Sequence, residues 1–146
     1  MPHDDQTLMA LTMALTQVAR TYKACADKMA GDFQLSQATA LPVIMIGRLG
    51  NGVRPGMLAD ALGLEASSVV RLIDQLIDAG LVERNEDAND RRARTLHLTP
   101  EGRKRANQLE KSLTKLRREL FRDIKPAEVE TCLAVLQSLH GAIGEH

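Results

Sequence analysis

The 146-residue chain is poor in residue types on which several classes of protein depend. It has no Trp, one Tyr and two Phe, too few aromatic faces for a surface that stacks the bases of single-stranded nucleic acid. Its two cysteines, Cys25 and Cys132, do not form the dense pattern of a disulfide scaffold. We therefore expect reduced thiols and a cytoplasmic location.

Segments and motifs that mark other classes are also missing. The first five residues lack the cationic start of a signal peptide. The longest apolar run, residues 40–47, contains Pro42 and is too short to cross a bilayer, so no membrane association is expected. The four histidines do not show the spacing of metal ligands, and no phosphate loop, nucleophile elbow or HExxH motif occurs. The sequence predicts a protein that is not an enzyme and holds no metal or cofactor.

Charge is balanced overall but unevenly distributed. Lys+Arg and Asp+Glu both number 19, which excludes a uniformly basic coat. Between Arg84 and Lys125, however, there are 13 basic and seven acidic residues, a net charge of +6, and the rest of the chain carries −6. This asymmetry is typical of a basic surface that faces a polyanion. The alternative interpretation is an ordinary solvated helix surface.

Long amphipathic helices are predicted at both ends of the chain. A seven-residue apolar repeat predicts a first helix that ends near Gly31; its members are Leu8, Leu11, Leu15, Val18, Tyr22, Cys25 and Met29. Thr99 and Pro100 form a start signal for a second helix, and a third follows Pro126. Narrow apolar seams need another surface to cover them, so we expect a homodimer, with an intramolecular bundle as the alternative. Within the seam, Cys25 is expected to be a buried, unreactive thiol.

The middle of the chain predicts shorter helices. An apolar helix over 35–49, capped by Ser36, is expected to bend or break near Pro42. After a turn at residues 50–52, a short helix over 57–62 ends at Gly63. A further helix over 66–79 is predicted to follow, with its apolar residues facing inward: Val69, Val70, Ile73, Leu76 and Ile77. Two helices joined by a glycine turn are typical of a helix-turn-helix, although ordinary helical hairpins share the pattern.

A charged hairpin is predicted directly after these helices. Residues 81–85 and 94–98 have strand character, with Leu96 and Leu98 facing inward. The loop between them, 86–93, is rich in turn formers and carries arginines. A helix can enter the major groove of DNA, which is about 12 Å wide. An arginine on such a hairpin can reach the negative potential of the adjacent minor groove.

Residues 57–102 resemble the multiple antibiotic resistance regulator (MarR) family of winged-helix transcription factors, and within it the SlyA-like group. The resemblance depends on a DxxDRR…LTxxG motif, which consists here of Asp87, Asp90, Arg91, Arg92, Leu98, Thr99 and Gly102. It implies a mainly α fold with a small β-hairpin wing and long N- and C-terminal dimerisation helices. Residues 1–146 would form one domain, with a DNA-binding lobe at 35–103 and dimerisation helices at 1–34 and 104–146.

The family's activity implies a homodimer that binds pseudo-palindromic double-stranded promoter DNA. The resemblance further implies a repressor that is released by a small aromatic or phenolic effector. The sequence offers Met9, Met13, Met45 and Met57 as an adaptable apolar lining, with core filling as the competing interpretation.

Matching positions imply a set of DNA-binding residues. Ser67, Ser68 and Arg71 would face the major groove from the recognition helix, and Arg92 would be the arginine at the tip of the wing. Asp90 would orient Arg92, although an Asp in a loop also caps backbone. Arg91 and Arg94 would add phosphate contacts. For Arg71, pairing with Asp74 or Glu65 on the helix surface is the alternative.

Two other functions are compatible with the same pattern. One is a DNA-binding regulator that senses oxidants through Cys25. The other is a winged-helix scaffold that binds protein, and the intact wing arginines disfavour it.

Overall fold

The described part of the chain forms six helices and one two-stranded antiparallel hairpin. The structure is a computed structural model that describes residues 2–50, 52–90 and 92–146, with only the backbone of residue 37. The helices are α1 (Asp5–Asp32), α2 (Gln37–Leu49), α3 (Pro55–Leu62), α4 (Ala66–Asp78), α5 (Pro100–Leu120) and α6 (Pro126–Gly144). The strands are β1 (Val82–Glu86) and β2 (Arg94–Leu98). The prediction of a mainly helical fold with a hairpin wing is confirmed.

The chain divides into two compact units. The first, Met1–Leu113, contains α1 to α4, the hairpin and most of α5. The second, Thr114–His146, contains the end of α5 and all of α6. No described helix has both the length and the apolar character needed to cross a membrane.

Side-chain caps fix where the first helices begin. Asp4 precedes α1 and accepts hydrogen bonds from the hydroxyl and the backbone N–H of Thr7, at 2.8 and 3.2 Å. These bonds lower the pKa of the Asp4 carboxyl. Ser36 and Thr39 form a reciprocal capping box before α2. The chain therefore carries its own start signals for α1 and α2.

The expectations for α1 and α2 need three corrections. The α1 helix continues to Asp32, one residue beyond Gly31. The α2 helix begins at Gln37 instead of Leu35, and it continues through Pro42 without a break. Leu35 is buried in the core, and its N–H donates to the carbonyl of Ala30. These contacts hold Leu35 against the end of α1, and α2 begins after it. Pro42 removes one N–H donor, and burial of Val43 and Ile46 on the same helix offsets that loss.

The core of the first unit lies between the short helices and the hairpin. Its largest fully buried side chains are Ile46, Leu58, Leu76, Leu81, Leu96 and Leu109. Each contributes about 1.5–3 kcal/mol relative to an exposed position. Ala30, at the end of α1, is also fully buried. Both α1 and α5 therefore contribute residues to this core.

The buried face of α4 differs from the prediction. Val69, Leu72, Ile73 and Leu76 are buried, which is the i, i+3, i+4, i+7 set of one helix face. Val70 was predicted to face inward, but its side chain is 56% exposed. At about 100° of rotation per residue, Val70 lies about 60° beyond the edge of the buried arc that Leu72 and Ile73 delimit.

The hairpin pairs Val82 with Leu98 at one end and Glu86 with Arg94 at the other. The strand β1 is displaced by one residue from the predicted 81–85, because Leu81 lies in the turn after α4 and its carbonyl accepts the N–H of Thr99. Leu96 and Leu98 are buried as predicted. The sequence did not indicate a bridge between Leu96 and Val53, which attaches the hairpin to the segment before α3.

The threonine and the glycine of the LTxxG motif fix the start of α5. The Thr99 hydroxyl donates to the Gly80 carbonyl at 2.6 Å and accepts from the Gly102 N–H at 3.0 Å. A Cβ at Gly102 would overlap the backbone carbonyl of Leu81. This close approach explains why the position needs glycine, and it anchors α5 against the turn after α4.

The terminal helices leave most of their apolar residues uncovered in the single chain. On α1, the exposed side chains include Leu8, Leu11 and Val18. No residue of α6 is buried, and Leu133, Val135, Leu136 and Ile143 are exposed. Cys25 is also exposed, so the expectation of a buried thiol is wrong for the single chain, because the seam that contains it has no cover there.

Candidate nucleic-acid interface

The turn between α3 and α4 sets the direction of the second helix. Gly63 ends α3 in the left-handed conformation, with φ 67° and ψ 33°, which glycine adopts without a steric penalty. The N-cap of α4 is Glu65, and its side chain makes no cap hydrogen bond. The start of α4 therefore has no side-chain cap. Burial of Leu58 on α3 and Val69 on α4 holds the two helices together.

The side of α4 away from the core carries the predicted recognition residues. Ser67, Ser68 and Arg71 are all exposed. Asp74, one of the two acids considered as a partner for Arg71, pairs with Arg84 of β1, with 3.4 Å between Oδ1 and Nη2. This ion pair joins the exposed side of α4 to the hairpin.

Two aspartates shape the hairpin loop. Asp87 accepts the backbone N–H of Asn89 at 2.9 Å, and Asp90 accepts that of Arg92 at 3.0 Å. Backbone bonds from Asp87 to Ala93 and from Ala93 to Asp90 close the loop. Asp90 thus holds the backbone from which the exposed Arg92 side chain projects. The predicted contact residue Arg91 lies outside the described residues.

An ion pair that the sequence analysis missed attaches the loop to α3. The Nη2 atom of Arg54, the N-cap residue of α3, lies 2.6 Å from Oδ2 of Asp87. The Asn89 N–H and the Arg54 guanidinium together hold the pKa of the Asp87 carboxyl below its usual value. The two residues are 33 positions apart, so no local pattern could have paired them.

The remaining predicted cation, Arg94, is half exposed and lies 3.3 Å from Glu86 across the strands. An exposed pair of this kind is weak and is screened by salt. The Arg94 side chain can therefore exchange Glu86 for another anion at little cost.

An open hollow of about 410 Å³ lies next to the exposed side of α4. Its lining includes the apolar residues Leu41, Pro42 and Leu62 together with Ser68 and Arg71. The structure thus brings two of the predicted recognition residues to the wall of a cavity. Of the four methionines proposed as a pocket lining, Met45 packs against the core, while Met9, Met13 and Met57 are exposed.

These elements define the winged helix-turn-helix class of DNA-binding proteins. They are a short helix, a glycine turn, a second helix with an exposed polar side, and a charged hairpin. A model of the MarR family matches residues 33–93, which include all of these elements except β2. Over these residues the chain matches the MarR family, and its fold is the DNA-binding winged helix of that family's transcription regulators. The resemblance noted in the sequence is thereby confirmed.

Solved structures agree with this assignment along nearly the whole chain. The transcriptional regulator PA3341 is 28% identical, with 93% of this chain and 99% of that chain covered and a TM-score of 0.81. CouR from Rhodococcus jostii RHA1, bound to p-coumaroyl-CoA, is 25% identical, with 88% and 90% covered and a TM-score of 0.76. The MepR–DNA complex of S. aureus shares the fold at 19% identity, with 90% and 95% covered and a TM-score of 0.80. SlyA is also among the structures that share the fold.

Proposed function

We propose that the protein is a cytoplasmic repressor that binds pseudo-palindromic promoter DNA as a homodimer, with α4 in the major groove and loop 86–93 in the minor groove. The observation that carries the proposal is the exposure of Ser67, Ser68 and Arg71 on the side of α4 opposite its buried face. The MepR–DNA complex supports it, because a protein of the same fold binds DNA.

Each contact residue has a distinct role in this proposal. Ser67 and Ser68, in the first turn of α4, donate to base edges or phosphates, and Arg71 contacts a base or a phosphate from the second turn. Arg92 enters the minor groove, where narrow A·T tracts have the most negative potential, and Asp90 holds the loop that presents it. Arg91 and Arg94 contact phosphates.

The homodimer is proposed to form through residues 1–34 and 104–146, which leaves 35–103 as the DNA-binding lobe. The support is the uncovered apolar surface of α1 and α6, in which Leu11, Val18 and Leu133 are 46, 66 and 54% exposed. Burial of such side chains is favourable in proportion to the apolar area removed from water. A second copy of the chain offers the same seams and satisfies the symmetry of a pseudo-palindrome.

Ligand control is proposed to act through the hollow beside α4. An aromatic ring fits against Leu41, Pro42 and Leu62, and a carboxylate or phenolate can pair with Arg71. Because Arg71 is also a proposed DNA contact, an occupied hollow removes that contact and releases the operator. CouR, which binds p-coumaroyl-CoA, supports an aromatic acid or phenol as the chemical class of effector.

An electrophoretic mobility shift assay tests the proposal. DNA fragments that the protein retains from its own genome are selected, resynthesised as short duplexes and titrated with protein at two salt concentrations. We expect one sequence-specific complex that weakens steeply with salt, and release of the duplex by p-coumarate. Retention of no fragment at low salt would contradict the proposal and favour the protein-binding scaffold.

A further inference from the structure

Val70 is an apolar side chain at an exposed position on α4. It is 56% exposed and is the fifth residue of the helix. Ser67 precedes it by three residues and Asp74 follows it by four, so both are its neighbours on the helix surface. These neighbours are exposed and polar. Its other neighbours at this spacing are Ala66 and the buried Ile73, and Val70 is the one large hydrophobic side chain exposed on α4.

Neither core packing nor helix formation accounts for this valine. The core-facing positions of α4 are Val69, Leu72, Ile73 and Leu76, and Val70 lies outside that set. On an exposed helix surface, β-branched residues lose side-chain rotamer freedom that alanine or a long polar residue would not lose. Single exposed apolar residues are common on protein surfaces, but this one lies on the side of α4 that is proposed to meet a partner absent from the isolated chain.

The surroundings of Val70 favour DNA as that missing component. Protein interfaces need an apolar patch of several residues, whereas Val70 offers one isopropyl group. It lies in the N-terminal half of the recognition helix, which is the half that contacts base edges in helix-turn-helix proteins. In the major groove, the apolar group that distinguishes one base from the others is the 5-methyl group of thymine.

We propose that Val70 is a specificity-determining residue that contacts the 5-methyl group of one thymine in each half of the operator. The inference rests on the proposed placement of α4 in the major groove and adds an apolar readout to the polar contacts of Ser67 and Arg71. The valine methyl groups and the thymine methyl group are both removed from water in the complex. Cytosine or uracil at the same position lacks the 5-methyl group, so the base edge offers the valine no apolar contact.

Single-atom changes in the DNA test this contact. A duplex selected by the wild-type protein is resynthesised with each thymine replaced in turn by deoxyuridine, which removes only the methyl group. For the wild-type protein, one position per half-site should weaken binding about fourfold, the value of one buried methyl group. For Val70→Ala, the same replacement should have no effect, and Val70→Thr, which keeps one methyl group, should show an intermediate effect.

Arg92→Ala is the matched control, because it should weaken binding to every duplex and keep the fourfold difference between thymine and uracil. If the wild-type protein selects a duplex but no thymine is sensitive, or if Val70→Ala keeps the wild-type pattern, the inference is wrong while the proposed function stands. If no duplex is selected, both are wrong. Circular dichroism confirms that the variants are folded, as expected for changes at an exposed position.

Discussion

Gly31 and Gly102 both lie in helices, yet their surroundings differ sharply. A Cβ at Gly31 would have no neighbour within 4 Å, whereas a Cβ at Gly102 would overlap the Leu81 carbonyl. The motif glycine is therefore explained by a backbone contact between α5 and the turn after α4. The sequence predicted the start of α5 from Thr99 and Pro100, but it could not reveal this contact, because the contact depends on how two separate elements pack.

Gly102→Ala should lower the free energy of unfolding by roughly 1–3 kcal/mol or more, the cost of forcing an extra methyl group into a tight contact. Gly31→Ala is the matched control. It should leave stability unchanged or raise it by up to about 1 kcal/mol, because alanine is the better helix former. Urea denaturation followed by circular dichroism measures both. Equal stability of the two variants would contradict the packing that we describe.

Arg92 is exposed, so its removal should affect binding and leave the fold intact. Arg92→Ala should weaken operator binding by about 1–3 kcal/mol, as expected for an arginine that contacts a base. The midpoint of thermal unfolding should not change. Arg122→Ala, which removes an exposed arginine of the second unit, is the control and should bind nearly normally. An unchanged Kd for Arg92→Ala would contradict the proposed role of the wing in DNA binding.

At the scale of elements, the hairpin is held in place by contacts with its neighbours. Val53 bridges Leu96, Arg54 pairs with Asp87, and Arg84 pairs with Asp74. Periodicity predicted both strands and the polar loop, but not these attachments, because each joins residues that are distant in sequence. The same limit applies to α4, where periodicity identified the helix but placed Val70 on the buried face.

The Asp87 attachment should make stability depend on pH in the acid range. The pKa of Asp87 is lowered in the folded protein, so its carboxylate favours folding above the usual carboxyl pKa, near 3.8. This contribution disappears as the pH falls through the folded-state pKa. Asp87→Asn should therefore have a lower Tm than the wild-type protein at pH 6, and the difference should shrink below pH ~4.

Thermal unfolding between pH 3 and pH 7 measures this difference. Comparison of the two proteins isolates Asp87 from Asp4, whose pKa is also lowered and which both proteins retain. A Tm difference that stays constant over the whole range would show that the charge of Asp87 does not contribute.

At the scale of the whole molecule, the proposed dimer depends on the terminal helices. Leu133→Asp places a charge among the exposed apolar residues of α6, so we expect it to break the proposed dimer. Sedimentation should then give a mass of twice 16.0 kDa for the wild-type protein and the mass of a single chain for the variant. The variant should also bind the operator more weakly. Ser138→Asp, an exposed polar position on the same helix, is the control and should remain dimeric. A monomeric wild-type protein would contradict the account.

The sequence predicted the helical frame, the hairpin and the family, because periodic seams, glycine stops and the DxxDRR…LTxxG motif are local signals. It did not predict the exposure of Cys25 or the hollow beside Arg71, because both depend on which elements pack together. The proposed contacts at Ser67, Ser68, Arg71 and Arg92 came from the resemblance. The structure adds the surroundings of each contact.

Hydroxyl-radical footprinting on the selected duplex tests most directly whether α4 and the hairpin act together on DNA, because the radical reports access to the minor groove. The wild-type protein should protect two half-sites about 10 base pairs apart, with a further protected minor-groove segment on the outer side of each. Arg92→Ala, at a concentration that saturates the duplex, should lose the outer segments and keep the rest. An identical footprint for the two proteins, or a footprint without two halves, would contradict the account.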